Sequence, residues 1–131
     1  MTVVDASAIV DGLLDMPRRG DAVTRELRKA RSLHTLDFAH LEVISALRRH
    51  TALGEVSEQR ADDALRDLES APMLRHKARP LSRRVWELRH NHKPYDAAYI
   101  ALAEALDMPL LTTDGHLARS TGHRARIIEA Q

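Results

Sequence analysis

Five short apolar runs, separated by segments of helix length, constrain this chain more than any other feature. Thr2-Val3-Val4, Leu33-His34-Thr35-Leu36, Met73-Leu74-Arg75-His76, Leu110-Leu111-Thr112-Thr113 and Ala125-Arg126-Ile127-Ile128 have strand length. Strands set apart by helices cannot pair as hairpins, so they pair in parallel through right-handed crossovers that cover both faces of the sheet. The expected fold class is α/β: a three-layer α/β/α domain around a central parallel sheet of four to five short strands. At 131 residues the chain supports one core, and nothing in it marks a linker or repeat, so residues 1–131 read as a single domain.

The helical segments follow from caps and periodicity. A first helix begins at Ala6 and ends near Asp15; Pro17 introduces a second over Arg18 to Ala30, with Val23 and Leu27 as its buried stripe. Asp37 is expected to cap a helix from Phe38 to about Ala52, stopped by Gly54, and Ser57 to start one over Glu58 to Glu69. Leu81, Val85, Trp86 and Leu88 give a helical period over Pro80 to Asn91, followed by a polar break from His90 to Lys93. Pro94 opens the most regular helix, Tyr95 to Leu106, whose alanines let it approach a sheet closely. A short helix is expected over Asp114 to Ser120.

In a parallel sheet the carboxyl ends of the strands line one crevice. Asp5 closes the first strand and Asp114 the fourth, while Glu42 and Asp96 lie beside the apolar faces of their helices. Each has an ordinary explanation: an Asp after a strand is commonly a helix N-cap, and an acid in a first helical turn interacts favourably with the helix dipole. Together they suggest more, because several carboxylates in a partly desolvated cleft stay ionised only if cations neutralise them, and otherwise take up protons. An oxygen-only ligand set favours Mg²⁺ or Mn²⁺ over Zn²⁺.

Composition removes several classes. With no cysteine there is no disulfide, thiolate zinc site or cysteine nucleophile, and the chain fits a reducing cytoplasm. No apolar stretch has bilayer length and the opening residues carry no basic signal region, so no membrane association is expected. Twenty basic against nineteen acidic residues leave a formal net charge of +1, so any surface for nucleic acid must be local. One Trp, one Phe and two Tyr argue against an aromatic stacking platform as the main binding device. Ser7 has no assignable base, which removes a serine hydrolase. A phosphotransfer receiver lacks its late-strand Lys, and Asp5-Ala6-Ser7 lacks the second acid of a haloacid-dehalogenase-like phosphatase. His90 and His92 are read as a solvated break and the Arg18-Arg19, Arg48-Arg49 and Arg83-Arg84 pairs as solvated faces. His116, two residues after Asp114, is a candidate phosphate contact. Arg48 and Arg49, one to two turns beyond Glu42, are the candidate phosphate contacts for any nucleic acid bound near the crevice.

Val3-Val4-Asp5-Ala6-Ser7-Ala8-Ile9-Val10, Glu42-Val43-Ile44-Ser45-Ala46-Leu47-Arg48-Arg49, Tyr95-Asp96-Ala97-Ala98-Tyr99-Ile100-Ala101-Leu102-Ala103 and Leu111-Thr112-Thr113-Asp114 resemble, in order and spacing, the four acidic motifs of PIN-domain ribonucleases. More narrowly they resemble VapC-like toxins of type II toxin–antitoxin systems. The resemblance implies a PIN-like fold in which Asp5, Glu42, Asp96 and Asp114 are the metal-binding and catalytic acids, with Ser7 and Thr112 or Thr113 orienting water or a carboxylate. Two positions depart from the pattern: Ser45 stands where many relatives carry Asn, and Gly115-His116-Leu117 offers no further acid. The implied activity is Mg²⁺-dependent endoribonuclease, with Mn²⁺ as substitute, in which metal-activated water leaves a 5′-phosphate and a 3′-hydroxyl. The implied partners are RNA, a VapB-like antitoxin and a second copy in a homodimer, expected through the helices near Arg25 to Arg31 and Arg48 to Leu65. The competing reading is a catalytically weak PIN-like scaffold that acts by antitoxin binding and DNA-linked autoregulation.

Overall fold

The first strand of the chain lies at the middle of the sheet. In the computed structural model, which describes residues 1–131, β1 (Thr2–Val4), β2 (Leu33–Leu36), β3 (Met73–His76), β4 (Leu110–Thr112) and β5 (Ile127–Glu129) are ordered β3-β2-β1-β4-β5. All pairings are parallel, with Val3 opposite both His34 and Leu110. A central parallel strand is covered on both faces and must be apolar on both. Val3 and Val4 satisfy this and are fully buried. The edge strand β3 instead exposes Leu74 and Arg75, and a charged residue there opposes edge-to-edge pairing.

Seven helices complete the layers: α1 (Ala6–Leu13), α2 (Arg19–Lys29), α3 (Ala39–Ala52), α4 (Glu58–Ser70), α5 (Ser82–Glu87), α6 (Pro94–Leu106) and α7 (Gly115–Ala118). Helices α1, α2 and α4 stack over the face that carries Val4, Leu33 and Met73. Helix α6 lies against β1, β2 and β4, with α5 beside it. Ala97, Ala98, Ala101 and Ala103 are buried in α6 and let its backbone approach the sheet. Ile100 and Leu102 beside them each contribute about 2 kcal/mol by leaving water. No helix is long and apolar enough to cross a membrane.

Local chemistry sets most boundaries where the pattern places them. Ser57 caps α4 by accepting from the Arg60 N–H at 3.1 Å, and Gly54 follows α3 at φ +73°, a conformation costly for side chains with a Cβ. Asp107 ends α6 in the left-handed region. Four expectations are corrected. Asp37 does not cap α3, because its N–H extends the β2–β3 ladder to the His76 carbonyl, 2.8 Å, and Phe38 occupies the cap without a side-chain bond. The helix expected over Pro80 to Asn91 is a 3₁₀ turn at Arg79–Leu81 followed by the short α5. The last strand is displaced to Ile127–Glu129, and the helix after Asp114 spans only Gly115–Ala118.

Arg83 is exposed as expected, but Arg84 is no solvated charge. Its guanidinium grips Glu104 of α6 with two bonds, 2.7 and 3.0 Å, and Oε2, the oxygen that accepts the longer of them, also accepts the Arg124 N–H at 2.7 Å. These donors hold the Glu104 carboxyl below its ordinary pKa, and Glu104 in turn raises that of Arg84. The pair ties α5, α6 and the approach to β5 together.

Candidate active site

Strand order reverses its direction of travel between β1 and β4, and ligand crevices form at such points beyond the carboxyl ends. Asp5 follows β1 directly and is 5 % exposed. It caps α1 by accepting from the Ala8 N–H at 3.0 Å, so the capping explanation is correct as far as it goes. The same carboxylate also accepts the Ser7 hydroxyl at 2.7 Å and, on its other oxygen, the Thr112 hydroxyl at 2.5 Å. Thr112 therefore fills the polar position that the sequence leaves open between Thr112 and Thr113. Thr113 enters through its backbone, donating to Ser7 Oγ at 3.1 Å, and Thr112 Oγ1 accepts the Asp114 N–H at 3.0 Å. Each hydroxyl has one proton, and both point at Asp5, which stitches the ends of β1 and β4 together around one carboxylate.

Asp114 also combines two roles, since one of its oxygens caps α7 by accepting from His116 and Leu117 at 2.9 and 3.3 Å while the other remains free. Glu42, half-buried on α3, accepts the Tyr99 hydroxyl of α6 on one oxygen at 2.7 Å. Asp96, in the first turn of α6, forms no hydrogen bond or ion pair through its side chain although it is only partly exposed.

The electrostatics identify Asp96 as the hub. Burial pushes Asp5 up to about 6, against the opposing pull of its three hydrogen-bond donors, and the Asp96 charge raises it further. Burial likewise raises Glu42, with Asp96 adding to it, while Tyr99 pulls the other way. Asp96 is raised by burial and then by the charge of Asp114. Asp5, Glu42 and Asp96 thus share one field in which unneutralised charge is unfavourable, and the Asp114 charge feeds into it through Asp96.

The donor set suits a hard cation. Asp5 has about one lone pair unused, Glu42 and Asp114 one oxygen each, and Asp96 two, all oxygens. No three Asp, Glu or His side chains close to within reach of one ion. Mg²⁺ fits that spacing, because it retains several waters and takes only one or two carboxylates directly.

Two polar clefts flank the acids. One of about 370 Å³ lies between α1 and α3, where Arg19, Arg49 and His50 face Glu42 and Ser7. The other, about 570 Å³, holds Asp96 and Asp114 beside Arg89, His90, Lys93 and His116. Arg49 lines the first cleft and His116 the second, whereas Arg48 lines neither, and Ser45 is exposed. His92 departs from the expected solvated break: it is buried, neither ring nitrogen has a partner, and burial lowers its pKa.

The PIN domain family model matches residues 2–122, which include all four acids and both hydroxyls of the Asp5 network. The chain belongs to the PIN-domain family. Within that family it is similar to two curated ribonucleases of Mycobacterium tuberculosis. It is 39 % identical over 127 residues to Ribonuclease VapC12, covering 97 % of each chain. To Ribonuclease VapC1 it is 42 % identical over 124 residues, covering 92 % of this chain and 90 % of the relative. Two crystal structures share the fold. PAE2754 from Pyrobaculum aerophilum superposes with a TM-score of 0.70 at 23 % identity, covering 96 % of this chain and 81 % of that one. VapC20 of M. tuberculosis, a toxin that cleaves the sarcin–ricin loop, gives 0.68 at 17 % identity over 90 % of this chain and 93 % of its own.

Tyr99 and Arg19 are the site residues that sequence reasoning missed. Tyr99 lies one turn after Asp96 within the apolar run of α6, and its partner Glu42 is supplied by α3, 57 residues earlier in the chain. Arg19 reads as a surface charge until α2 folds back on α1 and brings it to Asp11, 3.8 Å away.

Proposed function

We propose that this PIN domain is a VapC-type toxin that hydrolyses RNA phosphodiester bonds with Mg²⁺ or Mn²⁺ through Asp5, Glu42, Asp96 and Asp114. The observation that carries this reading is a buried, triply bonded Asp5 that shares one field with three acids whose remaining oxygens are free. When bound, the divalent ion supplies charge neutralisation and a water of lowered pKa. Asp96, free of protein partners, would be the principal ligand of the ion, with Asp5 and Asp114 supporting it through waters the ion retains. Asp5 is kept ionised and correctly aimed by Ser7 and Thr112, which compensate part of its desolvation. Glu42, fixed on one oxygen by Tyr99, presents the other to orient the attacking water and take up its proton. Arg49 on one side and Lys93 and His116 on the other would hold flanking phosphates, so the strand lies across the acids rather than end-on. Attack by water leaves a 5′-phosphate and a 3′-hydroxyl.

The partners proposed with this activity are RNA, a VapB-like antitoxin and a second copy of the chain, all acting in the cytoplasm. The names of the relatives favour the ribonuclease over the inert scaffold. Purified protein freed of any antitoxin, incubated with total RNA in Mg²⁺ or Mn²⁺, with EDTA and Asp5→Asn as controls, tests it. Discrete metal-dependent fragments with 5′-phosphates are expected, absent from both controls. A folded protein that cleaves nothing and binds no metal by calorimetry would leave the scaffold reading in place.

A further inference from the structure

Few as they are, the aromatic side chains of this chain gather in one corner. Phe38 meets Tyr95 and Tyr99 edge-to-face, with ring centroids 5.2 and 5.5 Å apart. Trp86 completes the wall of a pocket of about 550 Å³ that Phe38 and Tyr95 also line. Trp86 and Tyr95 are 62 % and 60 % exposed, a large cost for two aromatic rings unless something stacks on them. The Arg89 guanidinium lies 4.3 Å from the Trp86 ring centroid, and Arg79 is the second cation of the same pocket. Neither arginine pairs with a carboxylate.

The pocket is continuous with the candidate centre. Arg89, His92 and Pro94 line both it and the cleft that holds Asp96 and Asp114, and Tyr95 immediately precedes Asp96. Tyr99, which touches Phe38, is the residue that holds Glu42. Arg89 also donates to the Trp86 carbonyl at 2.9 Å, which holds it against the ring, but neither guanidinium has an anionic partner. Aromatic walls beside cations that lack a counter-charge match a nucleotide: the exposed ring faces take a base and the arginines its phosphates. An apolar protein segment would supply no such counter-charge. The volume lies in the range of pockets that enclose small ligands.

We propose that the pocket between Trp86 and Tyr95 receives an unpaired nucleobase flanking the scissile phosphate, with Arg79 and Arg89 on the adjoining backbone. The assignment rests on the ribonuclease reading in taking RNA as the ligand, and it requires the base beside the scissile phosphate to be unpaired, since a base inside a duplex cannot enter the pocket.

Trp86 is the only tryptophan, so its fluorescence reports the pocket directly. A single-stranded RNA octamer is titrated into the full chain in EDTA, alongside octamers of the same length with an abasic site at each position in turn. The intact octamer is expected to quench Trp86. One abasic position should weaken binding roughly 10-fold while the charge is unchanged. Trp86→Ala, followed by fluorescence anisotropy of labelled RNA, should lose the same factor and its sensitivity to the abasic position, and Trp86→Phe should keep both. Trp86 is exposed, and circular dichroism verifies that the variants fold. Equal affinity for every abasic octamer, or unchanged RNA affinity in Trp86→Ala, overturns the proposal. So does a Trp86 emission that shifts with protein concentration without RNA together with a dimer that Trp86→Ala dissociates, since the face then belongs to a second copy. Base-dependent quenching without cleavage in Mn²⁺ would refute the ribonuclease alone; cleavage without base dependence would refute the pocket alone.

Discussion

Asp5 is held by groups that favour its charge and by surroundings that oppose it, and the surroundings prevail. Its folded pKa of about 6 stands above the ordinary 3.8, so the folded state binds the proton more tightly than the unfolded chain does. The stability this contributes is complete below pH 3.8 and is lost as pH rises through about 6, a change of about 3 kcal/mol. Asp5→Asn should therefore raise the stability of metal-free protein at pH 7 by up to about 3 kcal/mol and flatten its dependence on pH between 4 and 7. Urea unfolding in EDTA across that range reads the difference directly, and an unchanged slope would refute the assignment. Tyr99 makes a complementary case. Tyr99→Phe removes only the hydroxyl that steadies Glu42, and cleavage should fall roughly 10- to 100-fold, as for other groups that orient a metal-site ligand, with the circular dichroism spectrum intact. An unaffected rate would show that Glu42 needs no anchor.

Among the elements, strands were the most legible, because β-branched and leucine-rich runs bounded by helix signals have few other readings. Even the edge strand Met73–His76, polar in half its residues, forms as expected. What the pattern concealed lies where tertiary contacts outrank local preference. Asp37 has the right chemistry for a cap but continues a ladder, and Trp86, grouped with Leu81, Val85 and Leu88 by its apolar character, falls outside their i, i+4, i+7 stripe and projects outward from the short α5. The four acids were legible individually; their hydrogen bonds were not, since Asp5 and Thr112 are 107 residues apart. The ion pair of Arg84 and Glu104 belongs to the same hidden class. Glu104→Ala strands a partly buried guanidinium and an Arg124 N–H, and should cost about 3 kcal/mol in urea unfolding with cleavage per folded molecule preserved. Glu104→Gln, which keeps an acceptor, should cost less. Equal losses would mean that packing rather than charge matters there.

For the whole molecule, the acids set function against stability, and a divalent cation should reconcile them. Because binding to the folded state alone stabilises by mass action, Mn²⁺ at 100 times its Kd should add about 2.7 kcal/mol. Thermal unfolding with and without Mn²⁺ tests this: wild-type protein should melt higher with the ion, and Asp96→Asn, lacking the acid at the hub of the field, should respond least. A uniform shift in both would place the ion elsewhere. The position of β1 carries a further meaning in time. Val3 and Val4 leave the ribosome more than a hundred residues before their partners Leu110 and Leu111, and the Thr112 hydroxyl that holds Asp5 comes later still. A nascent chain can gather β1, β2 and β3 while its active centre does not yet exist. An enzyme that destroys RNA is thus disarmed until its fourth strand has been made, by nothing more than the order of its strands.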